Sequence, residues 1–529
     1  SPDGGAPDAG AEVSPDGGAP DAGIDVSPDG GTPDGGVADG GVDALPPQPP
    51  ALTDRLIGEG CVDIPTEPVV GGDCVRDADC DGGDVCRRRA SPVVYDDLPV
   101  ALRCGPRSVG AAPGERCAVG ADCDRGLCVV AGTCVAACAA DADCGAAARC
   151  RPVHVKPDSS TTEITYACIP RFTLPPDIEV ETHADVPMTW NDPGTADDGR
   201  WATASIDLPG GEGLYIAEPG CDTGAQVILL ATRDTPSALF YDQYAVNQDV
   251  AGASVNPAGT YGVPTTMLIP NGPVPVPSSA GYTAGFWTHR REPVRLDVLR
   301  GVRDGGVLNL DIFYVGAESL APVAGTPPPQ VAAALEDFAG LVRGAGITLG
   351  EVRHHEVSGI LAMRMSRLSL ADGTDDSYPK LPELLSLSAG VPSPSLSLFL
   401  VETIDDLWGQ AGAVTGPLGA NGLAVSGVAI GVAGPLSTRH GLGHTMAHEL
   451  GHFLGLFHTT ERDGRVFEAL PDTLVCPRSR DANRDGLLTW NECGGAGADN
   501  VMFWQVDYPA TFSGDQLDVL SRSLILTKP

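Results

Sequence analysis

Five of the ten histidines fall between 440 and 458. Three of them, His448, His452 and His458, stand at offsets that suit one metal ion. On a helix, His448 and His452 are four residues apart and project from the same face. Two neutral imidazoles so placed can hold a zinc ion. Glu449 follows directly on His448, where its carboxylate can reach a water at the ion without ligating the ion itself. Gly455 lies three residues past His452 and can take the left-handed conformation that ends a helix. The chain can then turn and bring His458 in as third ligand, which leaves the fourth position to water. His440 and His444 are expected at the surface or beside the ligands, because a fourth protein ligand would close the site.

A second metal signal runs from 481 to 492. Asp481, Asn483, Asp485, Thr489 and Glu492 fall at positions 1, 3, 5, 9 and 12 of a twelve-residue loop, with Gly486 at position 6. Leu487 supplies a backbone carbonyl at position 7. That is the pattern of an EF-hand calcium loop. Pro477 before it and Gly494-Gly495 after it argue against full flanking helices. Cys476 and Cys493 bracket the loop as candidates for a disulfide. Calcium here is expected to be structural, fixing the chain beyond His458.

The string from His448 to His458 resembles the zinc signature of the metzincin metalloendopeptidases. That family carries a Met-containing turn beneath the metal, and Asn500-Val501-Met502 suits it. The flanks resemble the pappalysin (cytophagalysin) branch: Thr459 after the last histidine, Asp472-Thr473, the pair Cys476 and Cys493, and Phe512 to Gln516. The resemblance covers about 301–529 and implies a zinc endopeptidase with Glu449 as general base and acid. Two positions depart from the pattern. Trp504 stands where several members have a tyrosine, and Leu474 replaces the usual proline.

Sixteen cysteines are present, thirteen of them within 61–168. Cys74, Cys80, Cys86 and Cys104 form one unit, Cys117, Cys123, Cys128 and Cys134 a second, and Cys138, Cys144, Cys150 and Cys168 a third. The first and third share gaps of five, five and seventeen residues. Structural zinc favours pairs two to four residues apart, so the repeats predict disulfides and an oxidising compartment. Their connectivity stays open. Cys61 and Cys221 lie outside the repeats and pair only by parity. Arg103-Cys104-Gly105 resembles the inhibitory cysteine switch of matrix metalloproteases, but Cys104 already belongs to its repeat.

The remaining chain must position these groups. Residues 1–50 hold ten acidic side chains, no basic ones, twelve Gly and ten Pro. Such a stretch has little to bury and predicts a disordered acidic spacer over 1–53. A disulfide-rich repeat module follows over 54–170. Short alternating segments over 171–300, such as 226–231 and 294–299, predict a β-sandwich-like domain. From 301 to 529, strands at 308–315, 347–357, 397–401 and 423–432 and a helix at 331–342 predict a mixed α/β (α+β) domain with a twisted sheet. The segment 423–432 is the candidate edge strand for an extended substrate. His354 and His355 sit in a predicted strand and face opposite ways.

The net charge of −37 argues against nucleic acid or anionic lipid as partner. No segment reaches the ~18 apolar residues of a membrane helix. The chain starts at Ser1 without an apolar signal region, which predicts a processed or trimmed product. The expectation is a secreted or surface-tethered zinc endopeptidase acting on protein or peptide, with the spacer as possible tether. Two alternatives stand beside it. One is a binding or adhesion protein dominated by its N-terminal modules, the other a latent protease restrained by 171–300.

Overall fold

The computed structural model describes residues 72–88 and 100–158, most of 162–187, only strands between 189 and 288, and 294–529 with short interruptions. The expected spacer, Cys61 and Cys221 lie outside the described residues.

A five-stranded sheet organises the C-terminal half. Its strands are β1 (Gly306–Val315), β2 (Ile347–Val357), β3 (Leu396–Val401), β4 (Gly409–Ala411) and β5 (Val428–Gly431), in the spatial order β2-β1-β3-β5-β4. All neighbours are parallel except β4, which runs antiparallel to β5. Side chains alternate between the two faces of a strand. Leu308, Leu310, Ile312 and Tyr314 of β1 join Leu398, Leu400, Val428 and Ile430 on one face. Phe313, Val315, Phe399, Val401 and Ala429 occupy the other.

Helices cover the first face. Helix α1 (Pro329–Val342) starts on a proline, whose fixed φ suits the first helical turn. It buries Val331, Ala334, Phe338 and Val342, which share one side. Helix α2 (Gly441–Leu454) is buried almost all round, packed between the sheet, α1 and helix α3 (Gly514–Ser521).

The second face is covered by the cysteine-rich segment. Leu127, Val129, Val130 and Ala131 pack in one core with Phe313, Phe399 and Val401. Phe313 stacks on Phe399 and on His355, each at 4.6 Å. Burying side chains of this size contributes about 1.5–3 kcal/mol each, so the two parts form one packed body.

The three cysteine repeats share a pairing in which the first cysteine joins the third and the second the fourth. The bonds are Cys74–Cys86, Cys80–Cys104, Cys117–Cys128, Cys123–Cys134, Cys138–Cys150 and Cys144–Cys168. Their common aspartate has a structural reason. Asp79, Asp122 and Asp143 each accept two backbone N–H groups at the start of a short 3-10 turn. Asp77 and Asp141 likewise take the N–H of Cys86 and Cys150.

In chain order, two antiparallel sheets come between these parts. One holds strands Thr189–Trp190, Ala202–Leu208, Val227–Arg233, Leu239–Asp242 and Tyr282–Thr288. The other holds Glu179–Val186, Gly213–Pro219, Thr265–Ile269 and Val294–Arg300. Leu214, Leu268 and Leu299 of the second sheet enter the same core as α2.

One expectation is corrected. The segment 423–432 yields β5, an interior strand buried at every position. A continuous apolar run marks a strand covered on both faces, whereas the edge beside it, β4, has only three residues. His354 and His355 do face opposite ways. His354 Nδ1 meets the Tyr314 hydroxyl at 2.8 Å, and His355 Nε2 meets Asp311 at 2.7 Å. Among the described residues, no helix is long and apolar enough to cross a membrane.

Candidate metal centre

Helix α2 places His448 and His452 one turn apart and ends where the sequence has Gly455. That residue adopts φ +118°, and its N–H reaches the carbonyls of Gly451 and His452. The N–H of Leu456 also returns to the Gly451 carbonyl. This left-handed cap reverses the chain and carries His458 back to the helix. The N–H of Thr459 then bonds Met502 O at 2.9 Å, tying the returning segment to the turn below.

The three imidazoles are oriented from behind. His448 Nδ1 lies 2.7 Å from Val501 O, His452 Nδ1 2.7 Å from Leu456 O, and His458 Nδ1 2.9 Å from Glu461 Oε1. Each partner is an acceptor, so each Nδ1 carries the proton and each Nε2 a bare lone pair. The three Nε2 atoms lie 3.1, 3.1 and 3.2 Å apart. Lone pairs converging so closely repel one another without a cation between them. Zinc bonds of ~2.0–2.1 Å at a tetrahedral angle put ligand nitrogens ~3.3–3.4 Å apart, close to the spacing found. Burial, reinforced by His458, pushes the His448 imidazole down to about 3. Burial and the two neighbouring imidazoles hold His452 well below the usual range. Both rings are therefore neutral, as metal ligands must be.

Glu449 lines the same cleft as the three histidines and lies against the edge strand β4. Burial pushes its carboxyl up to about 8, against the opposing effect of a hydrogen bond from the Ala411 backbone N–H. Gly409 makes that position possible. A Cβ on it would lie 2.4 Å from Glu449 Oε1 and 2.5 Å from Cδ. Neither Gly409 nor Ala411 is visible as a site residue in the sequence, because β4 is too short to show a pattern.

Met502 is fully buried beneath α2, with Sδ 2.7 Å from where a Cβ on Gly451 would stand. Asn500 holds the turn. Its Oδ1 accepts the Met502 N–H, and its amide donates to Gln516 on α3. Trp504 takes no part in the histidine cluster. Its indole N–H donates to Leu488 O at 2.6 Å.

The loop 481–492 lies on the surface, closed by Cys476–Cys493. Asp481 accepts the N–H groups of Arg484 and Gly486, Asp485 that of Leu487, and Glu492 those of Ala482 and Thr489. Thr489 Oγ1 also donates to Glu492, and Asn483 donates to Asp485. A 3-10 turn, Arg478–Arg480, precedes the loop and a four-residue helix, Trp490–Cys493, overlaps its end. Among the described residues, four groups of three ligand atoms converge within 4.8 Å. One is the histidine cluster. The other three are cysteines that are disulfide-bonded, Cys104 included. Asp481, Asp485 and Glu492 form no such group.

His440 and His444 stand apart from the cluster. His440 Nδ1 meets Asp337 at 2.8 Å, while His444 is buried between the carbonyls of His440 and Ala510. The histidine cluster opens into a cleft of about 550 Å³ whose walls include Trp408, Val414, Phe457, Glu461 and Val506. Edge strand β4 forms its rim. Sequence reasoning missed Glu461, although its place three residues after His458 was a readable signal.

No protein-family model matches the chain, and neither does any curated protein sequence. Among solved structures, metalloproteinase-II from Bacteroides fragilis is similar at 12% identity and a TM-score of 0.19. The match covers 34% of this chain and 57% of that one, so the chain spans less than two thirds of the neighbour's length. A likeness of that size carries no argument about the site, whose reading rests on its own geometry.

Proposed function

We propose that the protein is a secreted or surface-tethered zinc endopeptidase of the metzincin kind, pappalysin-like in its flanks. One observation carries this reading: three bare Nε2 lone pairs converge beside a buried carboxylate at the floor of a cleft. Zinc held by His448, His452 and His458 would supply Lewis acidity toward a peptide carbonyl and a water in the fourth position. The charge of a bound cation would lower the carboxyl that burial raises, and Glu449 would then take the proton of the attacking water and hand it to the leaving amine. The Ala411 N–H and the space left by Gly409 keep its carboxylate aimed at that water. An extended peptide lies along β4 and adds a strand to the sheet. Trp408, Val414, Phe457 and Val506 shield the bond from solvent.

Zinc content and cleavage of a peptide library, measured for the wild type and Glu449→Gln, test the proposal. The variant is expected to keep zinc and lose cleavage. Full activity in Glu449→Gln would refute the assignment. The disulfides of the repeats are compatible with an extracellular protein, and the spacer over 1–53 is the proposed tether.

Calcium in the loop 481–492 is a second part of the proposal. Asp481, Asn483, Asp485, the Leu487 carbonyl, Thr489 and Glu492 would turn their oxygens onto the ion. The loop's support of the cleft favours a structural role. Leu488 N–H donates to Arg462 O, and Leu488 O accepts from Trp504.

A further inference from the structure

We propose that Glu461 is a positioning residue for the third metal ligand, holding His458 in the tautomer and orientation that bind the ion. The inference rests on the zinc reading above. The three ligands are not supported alike. His448 and His452 grow from a rigid helix, and each donates its Nδ1–H to a neutral backbone carbonyl. His458 comes from an irregular segment beyond the helix cap and is only half-buried. Its Nδ1–H meets a carboxylate, Glu461 Oε1, at 2.9 Å.

A carboxylate acceptor differs from a carbonyl in two ways. The charge-assisted bond is about twice as strong as a neutral one. It also raises the basicity of the far nitrogen, the one that binds metal. The ligand with the least help from secondary structure thus has the strongest partner.

Glu461 is itself held in place. Its N–H donates to Arg465 O at 2.8 Å, and its carbonyl accepts from Gly464 N at 2.9 Å, closing a tight turn. The turn is braced from outside, where Leu488 N–H donates to Arg462 O at 2.7 Å. Arg465 Nε pairs with Asp463 Oδ2 at 2.7 Å across the same turn. The carboxylate therefore stays on the Nδ1 side of His458 and acts through that ring.

The test compares wild type, Glu461→Ala, Glu461→Gln and Glu461→Asp in the full chain. Zinc affinity is read by competition with a chromophoric chelator. Ligand geometry is read from the visible spectrum of the cobalt-loaded protein. Loss of such partners weakens metal binding by about 10- to 100-fold, and that loss is expected in Glu461→Ala. Glu461→Gln keeps an acceptor without the charge and should fall between. Glu461→Asp should recover part of the affinity. The melting temperature of the metal-free protein should not move, which separates positioning from general stability. Wild-type zinc affinity and cobalt spectrum in Glu461→Ala would overturn the proposal, as would a rise in KM alone, which would make Glu461 a substrate contact. A wild type that takes up no zinc would overturn the underlying reading as well.

Discussion

Gly409 and Glu449 occupy one space: the position of a Cβ on the glycine falls 2.4 Å from the carboxylate oxygen of the glutamate. The edge strand and the proposed base are thereby coupled, although forty residues of sequence separate them. Gly409→Ala should push the carboxylate aside while leaving the three histidines untouched. A misplacement of about 1 Å can cost ~10²-fold in rate. The expected result is a fall in kcat of that order with zinc content unchanged. Equal kcat in the variant would show that Glu449 needs no such space.

Sheet and cysteine-rich segment share one apolar layer, with Phe313 and Leu127 both fully buried. Phe313→Ala should cost about 3–5 kcal/mol, measured by denaturant unfolding. A fragment of 301–529 alone should expose Phe313, Phe399 and Val401, bind hydrophobic dyes and unfold without cooperativity. A soluble fragment with a cooperative transition would contradict this.

Glu468 sets a pH dependence of stability. Burial pushes its carboxyl up to about 8, against a hydrogen bond from Gln516. The unfolded chain releases this proton near ~4.3, while the folded chain keeps it until about 8. The contribution to stability is therefore complete below the unfolded value and is lost as pH rises through the folded one. Unfolding free energy should fall between about pH 4.3 and 8, and Glu468→Gln should flatten that limb. An unchanged slope would dismiss Glu468 as its source.

Asp311 acts with the opposite sign. Burial alone would raise its carboxyl, but hydrogen bonds from His355, Arg353 and Ser395 outweigh burial and hold it below the ordinary value. Its stabilisation is present above the unfolded pKa of ~3.9 and is lost as pH falls through the lower, folded one. Breaking a buried pair costs about 3–5 kcal/mol, so Asp311→Asn should lose stability of that order at neutral pH. It should also lose the acid limb expected of the wild type.

Calcium should raise the melting temperature of the wild type, and a chelator should reverse the rise. Ligand at about 100 times its dissociation constant adds ~2.7 kcal/mol. Asp481→Ala with Glu492→Ala should abolish the response. A wild-type melting temperature unmoved by calcium would count against the loop as a cation site.

Much of the candidate metal centre was legible in the sequence because it is local. His448, Glu449, His452, Gly455 and His458 lie within eleven residues, and helix periodicity with one left-handed glycine suffices to bring the imidazoles together. The strands 308–315 and 347–357 were legible because burial imposes a period that survives in residue types. Cysteine spacing showed three repeats but no pairing, since spacing alone does not say which sulfurs meet. Tertiary structure decided that pairing, and it decided what no local pattern encodes. A three-residue strand forms the edge beside the cleft, since β4 is defined only by its register against β5. Gly409 lies against Glu449, and the cysteine-rich segment covers the far face of the sheet. These contacts join residues tens to hundreds of positions apart, and hydrophobic burial, which has no direction along the chain, selects them only when all the layers pack at once.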